Sequence, residues 1–171
     1  MKNLLRALLI VGVFAFFTTK TNAQAKLAHI NFSDLVQNMP DTKIANMRLD
    51  SFQKELQNTL ETMMAEYKKK QDEYNALGAN ASEAIRAAKE KELGNLYQNI
   101  QDFQQSAADE VQTKQNEYLQ PIIDKAKKAC SDAAKSGGYS YVFDNSPGGA
   151  LIYHPESDDL MAAVKKLLGI K

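Results

Sequence analysis

Apolar residues recur at helical spacing over most of this chain. Ile44, Met47, Phe52, Leu56, Leu60, Met63, Tyr67, Tyr74 and Leu77 mark a first stripe. Steps of three and four dominate it from Leu56 onward. Gln53 and Lys70 interrupt the stripe, and Gly78-Ala79-Asn80 breaks it. Ser82 and Glu83 then open a second helix, whose stripe runs Ile85, Leu93, Leu96, Ile100, Phe103, Ala107, Val111 and Tyr118, with Lys114 as its interruption. Two heptad-like stripes joined by a tight Gly/Asn turn predict an antiparallel helical hairpin.

The register follows from the turn. Centred near residue 80, it sets opposite one another positions whose numbers sum to about 160. Leu60 then meets Ile100, Met63 lies near Leu96, and Leu56 near Phe103, so apolar faces apolar along the seam. Pro40 lands opposite Pro121. Proline removes an amide and clashes with the preceding turn, so the two prolines predict a joint where the hairpin leaves a body. Some 38 residues beyond it, at about 1.5 Å each, give a projection of roughly 55–60 Å.

Both flanks of the hairpin change period. Lys26 to Phe32 alternates like a strand, Ser33 or Asp34 can cap a brief helix from Leu35 to Asn38, and Asp41 or Thr42 a long one. After Pro121 the helical pattern continues through Ile122, Ala126 and Ala133 to Gly137-Gly138. Tyr139 to Asp144 reads as a strand, Asn145 to Gly149 as a turn, and Ala150 to His154 as a second strand completing a hairpin. Ser157-Asp158-Asp159 caps a last helix bearing Leu160, Met161, Val164, Leu167 and Leu168.

The predicted fold class is therefore mainly α with a small β part. A long antiparallel hairpin, 41–121 with its tip near 78–81, projects from a body made of 24–40 and 122–171. About three strands are marginal alone, and their edges invite pairing with another chain. Ile30, Tyr141, Val142, Phe143, Leu151, Ile152 and Tyr153 are the candidates for completing such a sheet between subunits. The hairpin cannot fold back on so small a body, so oligomerisation is expected.

The first residues change the compartment. Lys2 and Arg6 precede an apolar run from Ala7 to Phe17, then a polar stretch ending in small residues. That is the pattern of a signal peptide over 1–23, with cleavage after Ala23 or alternatively Ala25. The run is shorter than the ~20 residues that span a bilayer. Exported and helix-rich, the remainder also lacks Trp and is poor in Gly and Pro along the hairpin, a composition that suits a coiled coil rather than one large core.

Charge excludes one class of partner. The chain has 21 basic and 21 acidic residues, and loss of Lys2, Arg6 and Lys20 leaves an acidic excess of three. Nucleic acid needs a basic face to displace its counterions. The run Lys68-Lys69-Lys70, followed by Asp72 and Glu73, reads as a solvated helix face. Catalysis finds no constellation either. His29 and His154 are the only histidines, Cys130 is the only cysteine, and no third group at useful spacing orients them. No carboxylate stands at ligand spacing from the histidines, and the Asn145–Gly149 turn lacks the Lys-Ser/Thr of a phosphate loop. No enzyme, metal or cofactor is expected.

The two ends resemble the Skp/OmpH family of periplasmic chaperones. The residues are Leu27-Ala28-His29-Ile30-Asn31 at the start, and Tyr141-Val142-Phe143-Asp144, Ala150-Leu151-Ile152-Tyr153 and Ser157-Asp158-Asp159-Leu160 at the close. The resemblance implies a homotrimer with a β-barrel body and three tentacles around a cavity that holds unfolded outer-membrane proteins without ATP. Two departures stand out. Met161 follows the Asp-Leu pair where the family often has Thr, and the exported part is slightly acidic where well-known members are strongly basic. The second speaks against lipopolysaccharide or membrane-surface contact through basic patches.

Holding unfolded clients calls for weak, numerous contacts, which flexible Met and amphipathic Tyr supply. Met47, Met63, Met64, Tyr67, Tyr74 and Tyr97 are the candidates. Met63, Tyr67 and Tyr74 lie in the seam and serve equally as core, whereas Met64 and Tyr97 lie beside it. Heptads alone also fit a structural or adaptor coiled coil of the periplasm with one folded partner.

Overall fold

The computed structural model describes residues 25–78, 81–149 and 151–170. The expected signal peptide, the two central tip residues, Ala150 and Lys171 lie outside them. In chain order the elements are strand β1 (Leu27–Ile30), helices α1 (Phe32–Asn38), α2 (Pro40–Asn75) and α3 (Glu83–Gly137), strand β2 (Tyr141–Asp144), a 3-10 turn (Glu156–Asp158) and helix α4 (Met161–Leu168). The chain is mainly helical with a small β part, as the periodicity predicts, and the β part is a two-stranded sheet.

Caps fix the short elements, and two differ from expectation. Asn31 caps α1, its Oδ1 accepting from the Asp34 amide at 2.9 Å, so the helix starts at Phe32. Pro40 occupies the first turn of α2, where its missing N–H costs nothing. Thr42 does not cap that helix; its hydroxyl donates to the Val36 carbonyl at 2.5 Å and ties α2 to α1. Ser82 caps α3 as expected, and Gly138 ends it at a φ of 68°, a left-handed value that favours glycine.

The sheet departs from the predicted topology. β1 and β2 pair in parallel, Leu27 against Tyr141 through Ile30 against Asp144, with the whole helical hairpin as their connection. Residues 151–155 form no strand, so no β-hairpin follows the Asn145 turn. Strand propensity there is strong, yet it becomes a strand only against a ladder partner. Side chains hold this segment instead: Asn145 bonds His154, and Ile152 stands 99% exposed.

The core sits where the foot of α3 crosses the sheet. Ala28 and Ile30 of β1 and Leu35 and Met39 around α1 pack on Ile122, Ala126, Ala129, Cys130, Ala133 and Ala134, with Leu160 and Val164 closing the far side. Alanine at every third or fourth position of α3 lets the strand approach the helix closely. Ile30, expected at a subunit contact, is only 2% exposed and belongs to this internal core.

Candidate functional site

The surface that projects furthest from the core is the α2–α3 hairpin. By the 1.5 Å rise, the 36 residues of α2 run about 54 Å. Its inward stripe is Ala45, Leu49, Phe52, Leu56, Leu60, Met63, Tyr67, Lys70, Tyr74 and Leu77, all buried or half-buried, in unbroken steps of three and four. The start of the stripe differs from the expected one: Ile44 and Met47 are exposed, and Ala45 and Leu49 take the seam positions, the small Ala45 lying where the helices close on the body. Gln53 lies outside the seam and interrupts nothing. On α3 the facing stripe begins at Arg86 and Lys89 rather than Ile85, and includes Lys114.

Cross-hairpin pairs show the register. Lys70 bonds Glu92 at 2.6 Å and Lys89 bonds Glu73 at 3.2 Å, both summing to 162. The rings of Tyr67 and Tyr97, 6.3 Å apart, sum to 164, and Asp41 with Lys125 at 2.7 Å to 166. The predicted 160 is therefore short by two near the tip and by six at the base. Pro40 in consequence lies about a turn below Pro121, which faces Ile44 and Ala45 across a cavity of about 530 Å³. α3 runs on through Pro121, whose missing amide leaves the Glu117 carbonyl without its helical partner.

Electrostatics divide the hairpin into three. At the tip Lys70, Lys89, Glu73 and Glu92 form one network. The hydrogen bond to Glu92 raises the Lys70 pKa, and the same bond holds the Glu92 carboxyl below its ordinary value. The hydrogen bond to Glu90 likewise pushes the Tyr74 phenol up. At the base Lys114 pairs with Glu117 and Lys125 with Asp41. Between them no ion pair forms among the described residues. Glu61, Asp102 and Asp109 bond only to the neutral amides of Gln57, Gln98 and Gln105.

The unpaired middle is also where apolar side chains come out. Met64 and Tyr97, each 54% exposed, border a groove of about 550 Å³ with Tyr67, Ile100, Gln71 and Gln101. A second groove of about 440 Å³, nearer the base, has Ile44, Met47, Phe52 and Tyr118 on its walls. At roughly 100° per residue, Met64 and Gln71 fall on one side of the seam, and Ile44 and Arg48 on the other. The six candidates thus separate. Met64, Tyr67 and Tyr97 meet in one groove, Met47 belongs to the opposite flank, and Met63 and Tyr74 stay half-buried in the seam. Periodicity could have found Ile44, since it falls outside a stripe drawn through Ala45 and Leu49.

The body carries a second bare region. Tyr141, Phe143, Ile152 and Tyr153 are exposed, Val142 and Leu151 half-buried. Leu27 and Leu167, which the strand pattern did not single out, are exposed as well. Cys130 is buried under the sheet, and burial pushes its thiol pKa up, away from the reactive thiolate. No group of three or more metal-ligating side chains occurs among the described residues. No described helix is long and apolar enough to cross a membrane.

A sequence profile of the family described as "Outer membrane protein (OmpH-like)" matches residues 26–168, most of the chain. The chain belongs to the OmpH-like family. The order of elements agrees with a crystal structure of a candidate outer membrane chaperone (OmpH-like) from Caulobacter crescentus CB15. The two superpose with a TM-score of 0.74 over 90% of this chain and 89% of that one, at 14% identity. That likeness is one of fold. No curated protein matches the chain by sequence. The OmpH-like fold thus survives in a chain whose acidic side chains outnumber the basic ones after the first 25 residues.

Proposed function

We propose that this OmpH-like protein is an ATP-independent holdase of the periplasm, which binds unfolded outer-membrane proteins between helical tentacles and keeps them from aggregating. The observation that carries the reading is the pair of apolar grooves on opposite flanks of a hairpin that stands clear of its body. Grooves this shallow suit extended chain better than a folded domain, and Met and Tyr adapt to many sequences. Two flanks per hairpin mean that neighbouring hairpins can present apolar walls to one space. Exposed Tyr141, Phe143, Ile152 and Tyr153 on the body provide the contact for assembly into a homotrimer, in which residues 151–154 gain the ladder partner they lack here. Body and hairpin divide near residues 40 and 121.

The test is to dilute a urea-unfolded outer-membrane β-barrel into the protein without nucleotide, following turbidity and the mass of the complex. The reading expects a soluble complex of one client per trimer. Removing residues 56–103 with the trimer intact takes away the Met64 groove, spares the Ile44 groove and should weaken protection severely; unchanged protection would overturn the cavity mechanism. A trimer that leaves the client to aggregate would move the function to an adaptor with one folded partner.

A further inference from the structure

A largely buried polar cluster lies in the body, outside the hairpin. His29 on β1 is buried, and its Nε2 is 2.8 Å from the Pro155 carbonyl. A carbonyl only accepts, so Nε2 carries the proton and Nδ1 of the neutral ring is an acceptor. Asn145 Nδ2 meets that Nδ1 at 3.2 Å and His154 Nε2 at 2.8 Å, donating to both. His154 therefore carries its proton on Nδ1. Two atoms are left buried without a partner, Asn145 Oδ1 and His154 Nδ1, and the two imidazoles lie 3.9 Å apart.

The geometry points to a proton-operated latch on residues 151–155, built from His29, Asn145 and His154. A first proton, bound at His29 Nδ1, turns that atom into a donor facing an amide donor. Rotating the Asn145 amide by half a turn brings the orphaned Oδ1 into its place. Oδ1 has two lone pairs and accepts from His29 Nδ1 and from His154 Nε2, once His154 moves its own proton from Nδ1 to Nε2. The cluster thus has two hydrogen-bonded arrangements that differ by one proton and an amide rotation. Each leaves one side of the amide and one ring nitrogen unbonded, so hydrogen bonding by itself favours neither. A second proton has no such accommodation. It puts two imidazolium rings 3.9 Å apart in a part-buried site, and His154, on the irregular segment, is the ring free to leave.

The ionisable groups around the cluster are otherwise engaged. Asp144, next to Asn145, accepts from the Phe32 and Ser146 amides and the Ser146 hydroxyl. Asp159, bridged to His29 through the backbone, accepts from the Met161 amide, and Asp158 from the Ser157 hydroxyl. Neither they nor Glu156 bonds either ring among the described residues, so no carboxylate takes the second proton's charge through a direct hydrogen bond. Opening would detach from β1 the segment that carries Ile152 and Tyr153, both already exposed, and so couple acidity to where this apolar surface sits on the body.

Nitrogen-edited NMR of the full-length protein's rings tests this directly. Before acidification, His29 should show the Nε2–H tautomer and His154 the Nδ1–H tautomer. On acidification the Asn145 side-chain amide signals should shift together with the His29 ring signals. Further acid should then abolish the NOE contacts between the His29 ring and Pro155, which hold the segment to β1. His154→Gln, which keeps a polar group but takes no proton, should keep those contacts over the same range. Opposite tautomers, an Asn145 amide indifferent to His29, or wild-type contacts that persist in acid would each overturn the latch. So would identical acid opening in His154→Gln.

Discussion

Replacing Gly94 by alanine should stabilise the hairpin without weakening its groove. Gly94 sits in the interior of α3 with an ordinary helical φ, and a Cβ built there meets nothing within 4 Å. Its cost is therefore conformational only. Glycine in a helix interior is about 0.5–1 kcal/mol worse than alanine, because the unfolded chain has more freedom to lose. No packing contribution offsets it, so the full 0.5–1 kcal/mol is expected, seen as a rise in urea midpoint at unchanged slope. The position matters for function as well. Gly94 is three residues before Tyr97 and seven before Gln101, on the flank that bears the Met64 groove. A single methyl beside a groove of about 550 Å³ leaves room for a client chain, so affinity for an unfolded β-barrel should stay within twofold. Loss of stability would refute the reasoning, since it would mean that the open space beside Gly94 is filled in the assembled protein.

The tip network gives a pH signature. The Glu92 carboxyl is held below its ordinary value, chiefly by the hydrogen bond from Lys70, so its contribution is present above the unfolded carboxyl value of about 4.3 and is lost as pH falls through the depressed folded value. The raised Lys70 pKa has the opposite sense: its contribution is complete below about 10.4 and is lost only as pH rises through the folded value. Amide protection near residues 70 and 92 should therefore fall below about pH 4, weaken with salt, and lose its acid limb in Glu92→Gln. In the body, Leu35 is completely buried against the foot of α3, and Leu35→Ala should cost about 2–5 kcal/mol in urea unfolding while leaving the protection of the hairpin tip unchanged.

Most of the hairpin was legible because helical period is a strong local signal. Leu56, Leu60, Met63 and Tyr67 fall in the seam as their spacing requires, and Ser82 and Gly138 cap where turn chemistry places them. The base was not legible. Ala45 is a weak apolar signal beside Ile44 and Met47, so the larger residues drew the stripe onto the wrong face. The register slid because the loop and the two helices advance unequally, which no residue type announces. Residues 150–154 read as a strand on local propensity, but strand formation depends on a partner that sequence alone cannot locate. The His29–Asn145–His154 cluster was invisible for the same reason: its members lie 116 and nine residues apart and meet only through the parallel pairing of β1 and β2.

The distribution of charge argues for how such a hairpin can serve two needs at once. Its ends must be fixed, the tip because two helix termini meet there and the base because leverage is greatest. Those are the places where lysines reach carboxylates across the seam. The middle must stay receptive, and there the acids find only glutamine amides on their own helix. Exposed ion pairs contribute little to stability in any case, so omitting them from the middle costs the hairpin almost nothing. What it leaves is a stretch held together by apolar seam residues such as Leu56, Leu60, Met63, Leu96, Ile100 and Phe103, with two apolar grooves on its flanks. On the proposed holdase reading, acids with no fixed cationic partner stay free to meet whatever basic groups a client brings, where an adaptor built for one folded partner would commit them.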